Sequence, residues 1–170
     1  MEVADSGLSI RHFEAADGPF CHALRREAFL KVFSRDLEDR EVQAGAEAFD
    51  PEEFGRMIGK LESFVVTDGT EPVGFCTIRY PEEGTAEILY VYVDLARLGE
   101  GIGSMLVRHA EHLIRENHPE ITSIVLDTAV PGYNQAFYEH LGYTQHGHTV
   151  CRYPAGEVRA VRLMKDVRKE

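Results

Sequence analysis

Basic residues are scarce: 18 Lys and Arg face 29 Asp and Glu, for a formal net charge of −11. A general nucleic-acid binder is excluded, because neutralising phosphates takes clustered cations; a local basic site is still compatible. Cysteine is scarce too. Cys21, Cys76 and Cys151 are odd in number and far apart, with no C-x-x-C spacing, so neither a disulfide framework nor a metal centre is expected. Cys76 reads as a small core residue of a strand. No apolar run approaches the ~20 residues that span a bilayer. The opening Met1-Glu2-Val3-Ala4-Asp5 lacks the basic and apolar regions of a signal peptide. The expectation is a cytoplasmic protein with no membrane partner. Ser104 has no G-x-S-x-G context, and His109 and His112 stand at i, i+3 without an H-E-x-x-H pattern, which argues against a serine hydrolase and a zinc hydrolase. His140, His146 and His148 gather late in the chain and read as ordinary surface or core histidines.

What is present suits one domain over residues 1–170, since 44% hydrophobic and 28% charged residues are a normal globular mixture at this length. Leu8 to Phe13 alternates apolar and polar residues as a half-buried strand does. Asp17-Gly18-Pro19 starts a helix, and Leu24, Ala28 and Val32 mark its apolar face. From Asp36 to Glu53 the chain turns acidic, which reads as a solvated loop and short helix or as a rim that attracts a cationic substrate. Asp50-Pro51 begins a second helix. Residues 63–67, 73–80 and 85–93 read as strands joined by short turns, hence an antiparallel meander. A helix with Met105, Leu106, Ala110, Leu113 and Ile114 on one face follows, then a strand over 121–126 that can run parallel to 85–93. Pro131 to His140 suits a short helix, and strands over 143–151 and 158–164 close the chain.

The stretch that organises the rest joins the strand Thr85–Val93 to Gly99-Glu100-Gly101-Ile102-Gly103-Ser104 and a helix. A strand feeding a glycine loop that opens a helix builds an anion site from backbone alone. The first helical amides lack partners, and the helix end carries about half a positive charge. Glycine lets a phosphate approach without meeting a Cβ. Neither Gly-Lys-Ser/Thr nor the last glycine of G-x-G-x-x-G is present, so a nucleotide-binding domain fits poorly.

The element order, the glycine loop after the fourth strand, and the segment Phe137-Tyr138-Glu139-His140-Leu141-Gly142-Tyr143 together resemble the GCN5-related N-acetyltransferase (GNAT) superfamily. The resemblance implies an α/β (α+β) fold: a mixed, mostly antiparallel twisted sheet of about seven strands flanked by about four helices. It implies acetyl-CoA as co-substrate and no metal. Backbone groups at Val91, Tyr92 and Val93 would line the pantetheine arm and polarise the acetyl carbonyl. Amides of Leu98, Gly99, Glu100, Gly101, Ile102, Gly103 and Ser104 would hold the pyrophosphate. Tyr138 matches the tyrosine that protonates the departing thiolate, and Glu87 sits where some members carry a general base. The family's asparagine position falls on Pro131, which leaves Asn134 as the nearest candidate for the pantetheine.

The chemistry makes its own demands. A lysine-like amine with a pKa near 10.4 costs about 4.6 kcal/mol to neutralise at pH 7, so a base or a water chain leading to one is useful. A phenol near 10 protonating a thiolate near 8.5 works uphill by only about 2 kcal/mol. Two residues depart from the motif. Leu98 stands where Gln or Arg is usual, and Glu100 puts a negative charge in a phosphate loop, to be offset by Arg97 or Arg108. The expected activity is acetyl transfer from acetyl-CoA to a primary amine of a small molecule or peptide, by direct attack in a ternary complex. A non-catalytic acyl-CoA-binding or sensor module is the alternative, and a homodimer is an open possibility.

Overall fold

The computed structural model describes residues 7–129 and 133–169. Seven strands form one sheet: β1 (Leu8–His12), β2 (Glu62–Asp68), β3 (Glu71–Glu82), β4 (Thr85–Val93), β5 (Ser123–Ala129), β6 (Thr144–Tyr153) and β7 (Gly156–Asp166). Their order is β1-β2-β3-β4-β5-β7-β6. β4 and β5 pair parallel; the other described neighbours pair antiparallel. The short turns between β2, β3 and β4 produce the meander, and a helical crossover produces the parallel pair.

Five helices cover the two faces: α1 (Gly18–Lys31), α2 (Asp39–Ala46), α3 (Pro51–Gly59), α4 (Ile102–Asn117) and α5 (Tyr133–His140). α4 and α5 pack on one face. Leu106, Ala110 and Ile114, one helical turn apart, are fully buried against Ile78, Ile88 and Ile124. Burying a side chain the size of Leu106 or Ile114 contributes about 1.5–3 kcal/mol by removing it from water. α1 and α3 cover the other face through Leu24, Phe54 and Ile58, over Val65, Phe75 and Tyr90. α3 starts where expected, at Asp50, whose side chain accepts from the Glu52 amide.

The helix beyond the expected four is α2, which forms inside the acidic run. Glu38 and Glu41 close a reciprocal capping box at its start. Glu41 is then buried and takes the Arg159 guanidinium and backbone N–H, fixing α2 to β7. Arg159 holds the Glu41 carboxyl down at about 2. Glu38, Glu41, Glu47, Asp50 and Glu52 of this run are thus used in caps and ion pairs. The helix expected from Pro131 is described from Tyr133 onward; Pro131 itself lies outside the described residues. β5 is displaced two to three residues C-terminal of the expected 121–126.

Candidate active site

The site originates in a short pairing. β4 and β5 share only the register Thr85↔Ser123, Ala86↔Ile124 and Glu87↔Val125. β4 then runs on to Val93 while β5 turns to pairing with β7 alone, and the two strands part. The β5-facing backbone groups of β4 beyond Glu87 therefore have no ladder partner, and unpaired backbone N–H and C=O groups demand one. α5 closes the gap with Tyr138 and Asn134. On one side lies a cavity of 370 Å³ walled by Val91, Tyr92, Val93, the glycine loop and Phe137. On the other lies one of 410 Å³ that includes Glu87, Tyr90, Asp127 and Tyr153. Both cavities share Val91, Tyr92, Asn134 and Tyr138.

A bulge decides which β4 side chains face which cavity. Thr77 pairs with Tyr90 but Ile78 with Ile88, leaving Leu89 as an extra residue. Ala86 and Ile88 before it and Val91 and Val93 after it all face the α4 core. Simple alternation from Glu87 would put Tyr90 and Tyr92 on the opposite face; the extra residue brings all three to the second cavity. Burial pushes the Tyr90 phenol up to about 12, and raises that of Tyr92 further.

The glycine loop meets the demands of an anion cradle. Gly99 and Gly101 have φ of 86° and 84°, left-handed values that L side chains resist, and a Cβ at either would meet nothing within 4 Å. Gly101 is the N-cap of the 16-residue α4, and no side chain caps its first amides. Gly103 serves packing instead, since a Cβ there would lie 3.2 Å from the Phe137 ring. Glu100 faces away from the cavity. Arg97 donates to it at 2.8 Å and reaches Asp68 on β2 at 3.1 Å, so Arg97 and not Arg108 offsets this charge. Leu98 is exposed at the cavity rim, and Ser104 lines the cavity one turn into α4.

Tyr138 is buried on α5, its ring 5.0 Å from Phe137 and 6.0 Å from Tyr143. Among the described residues its hydroxyl has no hydrogen-bond partner. Burial raises its phenol well above the usual range, with Cys76 and Tyr92 adding to the effect. Asn134 is half-buried beside it. Glu87 is also buried, and Arg79, its cross-strand partner, donates to it at 2.6 Å. A solvent-facing Glu87 is therefore ruled out. It stands four strand residues from Val91, roughly 13 Å at the usual rise.

None of the eight acids between Asp36 and Glu53 lines either cavity, so the rim reading of that run is not realised. His140, His146 and His148 are exposed away from both. Cys151 does line the second cavity, and burial pushes its thiol up. One residue the sequence reading passed over is Arg25, which is 2% exposed. Its spacing was the available signal: four after Cys21 and three before Ala28, it falls on the apolar face of α1.

The sequence profile described as "Acetyltransferase (GNAT) family" matches residues 20–143. The chain belongs to that family. No curated protein matches it at a significant level. Among solved structures, a GCN5-related N-acetyltransferase from Rhodopseudomonas palustris superposes with a TM-score of 0.83 at 17% identity, over 98% of this chain and 100% of that one. YncA from Salmonella typhimurium, solved with acetyl-CoA, gives 0.71 at 15% identity, over 95% and 94%. The PaiA N-acetyltransferase from Thermoplasma acidophilum, solved with coenzyme A, gives 0.70 at 14%, over 94% and 98%. These likenesses show the fold. Among the described residues no helix is long and apolar enough to cross a membrane.

Proposed function

We propose that this GNAT-family chain transfers an acetyl group from acetyl-CoA to a primary amine of a small molecule or peptide, by direct attack in a ternary complex. The observation that carries the reading is the parting of β4 and β5 beyond Glu87, which leaves unpaired strand backbone between two cavities that meet at Tyr138.

The residues fit the cofactor. Free amides at the start of α4, with no Cβ in front of Gly99 and Gly101, suit a pyrophosphate. The backbone of Val91 to Val93 offers its free groups to the pantetheine arm and a donor to the acetyl carbonyl, where charge develops during attack. Asn134 stands where it can bond the arm. Bound acetyl-CoA supplies the activated acyl group; the chain supplies position and proton handling. The second cavity takes the amine and aims it at the shared wall. Tyr138 holds its proton at the point where the thiolate leaves. Glu87 lies too far along β4 to take the amine proton directly, so it acts through water as the negative end of the exit path. Cys151 is held as a thiol by burial, which disfavours a covalent acyl-enzyme.

The test is release of free CoA thiol from acetyl-CoA with a panel of amines: polyamines, aminoglycosides, amino acids and peptide N-termini. Turnover with at least one amine is expected. Tight CoA binding with no release from any would refute the reading in favour of a sensor module.

A further inference from the structure

Arg25 is the feature that acetyl transfer by itself does not use. Its Nη1 donates to the Gly45 carbonyl at 2.6 Å. Its Nε and Nη2 are buried and make no well-formed hydrogen bond among the described residues, although the Tyr153 hydroxyl stands near enough to interact with the guanidinium. Those two nitrogens form one edge of the guanidinium, with parallel N–H bonds at the spacing of two carboxylate oxygens. Four rings enclose the group: Phe29 at 4.9 Å, Phe49 at 5.0 Å, Tyr153 at 5.1 Å and Tyr90 at 5.8 Å. All four are walls of the second cavity.

Aromatic faces offset part of the cost of burying a cation, but they leave its N–H groups unsatisfied. The arginines that line this cavity are already matched, Arg79 to Glu87 and Arg152 to Glu157. The acids of the cavity are matched as well, since Asp127 holds Arg162. Arg25 does not itself line the cavity but lies behind the four rings that do, so the one unmatched charge next to the cavity is positive, on an edge shaped for an oxyanion. We infer that Arg25 is a specificity-determining residue that receives the carboxylate of the acceptor, so that the acceptor is an amine that is also a carboxylic acid, of amino-acid type. The inference rests on the acetyl-transfer reading for what happens to the amine. The inference requires the Tyr153 ring, which is half-buried and directly precedes the Pro154–Ala155 turn between β6 and β7, to tilt aside when the carboxylate binds. Tyr90 sits two residues before Tyr92, at the junction of the two cavities, which keeps carboxylate and acetyl group within the span of a small molecule.

The experiment compares matched pairs. Glycine, alanine, serine, methionine, phenylalanine and glutamate are each assayed against their own α-carboxamide by thiol release. The amides are the less basic amines, so a preference for the acid cannot come from a larger fraction of free amine. We expect at least one acid to exceed its amide by about tenfold or more in kcat/KM, the effect of a charged hydrogen-bonded pair. In Arg25→Lys, which keeps the charge and loses the fork, the ratio should fall to within about threefold through a raised KM, with acetyl-CoA affinity unchanged. No preference in any pair, or a preference that survives Arg25→Lys, overturns the inference. If no amine is turned over, calorimetry with the same pairs on the CoA-loaded protein separates the two readings. Acid-selective binding lost in Arg25→Lys upholds the carboxylate site while acetyl transfer fails; binding without selectivity overturns the site. Should the variant not fold, the wild-type acid-to-amide ratio decides alone, and a ratio near one overturns it.

Discussion

Tyr138→Phe isolates one atom. The Tyr138 hydroxyl bonds no described residue and stands where the two cavities meet, so removing it leaves the ring packing on Phe137 and Tyr143 intact. In water a phenol is about 1.5 pKa units weaker an acid than a thiol, an uphill transfer of about 2 kcal/mol. Burial raises the Tyr138 phenol beyond that. A thiolate expelled into the same cavity is desolvated too, so to first order the gap stays near its value in water. A gap of this size is compatible with proton transfer in step with C–S cleavage, and the loss of such a donor typically costs 10² to 10⁴ in rate. Single-turnover thiol release should therefore slow by about 100-fold or more, equivalent to about 2.7 kcal/mol in the barrier. The acetyl-CoA dissociation constant should stay within about twofold. The melting temperature should hold, because the hydroxyl bonds no described residue and opens on the cavities. The raised pKa keeps the phenol protonated throughout the usable range, so the wild-type rate should show no alkaline fall from Tyr138. A rate within about threefold of wild type would refute the assignment, as would a loss of cofactor affinity as large as the loss of rate.

Four further outcomes follow from named contacts. Gly101→Ala forces a left-handed residue and should destabilise by about 1–2 kcal/mol, whereas Gly103→Ala gains about 1 kcal/mol of helix propensity against its Phe137 contact and should be near neutral by denaturant melts. Equal losses in the two would overturn the separation of their roles. Arg97→Ala frees Glu100 and Asp68 beside the loop and should weaken acetyl-CoA binding by about threefold at low salt and less at high salt, an effect cancelled in the double variant with Glu100→Gln. Glu41 has a depressed pKa, so its stabilisation is complete above about 4.5 and is lost as the pH falls toward about 2. Glu41→Gln should therefore lower the melting temperature by about 2–4 °C at pH 7 and flatten the acid limb in that window, and an unchanged limb would contradict it. If protons leave by water, Glu87→Gln should lower kcat less than about tenfold at saturating amine, while a fall of 10³ would make Glu87 the direct base.

The sequence made the frame legible because hydrophobic period and turn chemistry agree along most of the chain. The Thr85–Val93 strand has the bounds read from its β-branched and aromatic run, and Asp50 caps the helix it was assigned. Missed features lie where tertiary partners override local signals. The acidic run does carry the short helix read for it, but the docking of that helix was not legible because Glu41 finds Arg159 118 residues later. That Glu87, Tyr90 and Tyr92 share one face was not legible, because the bulge at Leu89 is set by pairing with β3 and no residue type near it signals an extra position. Arg25 was overlooked because an arginine on a helix is ordinarily solvated. Four rings and the close approach of α2 enclose it, and a Cβ on Gly45 would collide with the Phe29 ring there.

The acidic run and the buried arginine bear on one question, the charge of the acceptor. Net charge of −11 invites the idea of a cationic substrate drawn by the whole molecule. At the short range that sets specificity, only unmatched charge counts, because a carboxylate already bonded to a guanidinium has little field left to offer. Glu41, Glu87 and Asp127 are matched in this way, by Arg159, Arg79 and Arg162. The long-range field can still bring an ammonium group toward the protein. Next to the second cavity, behind its aromatic wall, the unmet demand is that of Arg25, and it is for a negative group. A zwitterion satisfies both, with its ammonium end carried by the outer field and its carboxylate anchored within, which leaves the amine turned toward β4 and the junction at Tyr138.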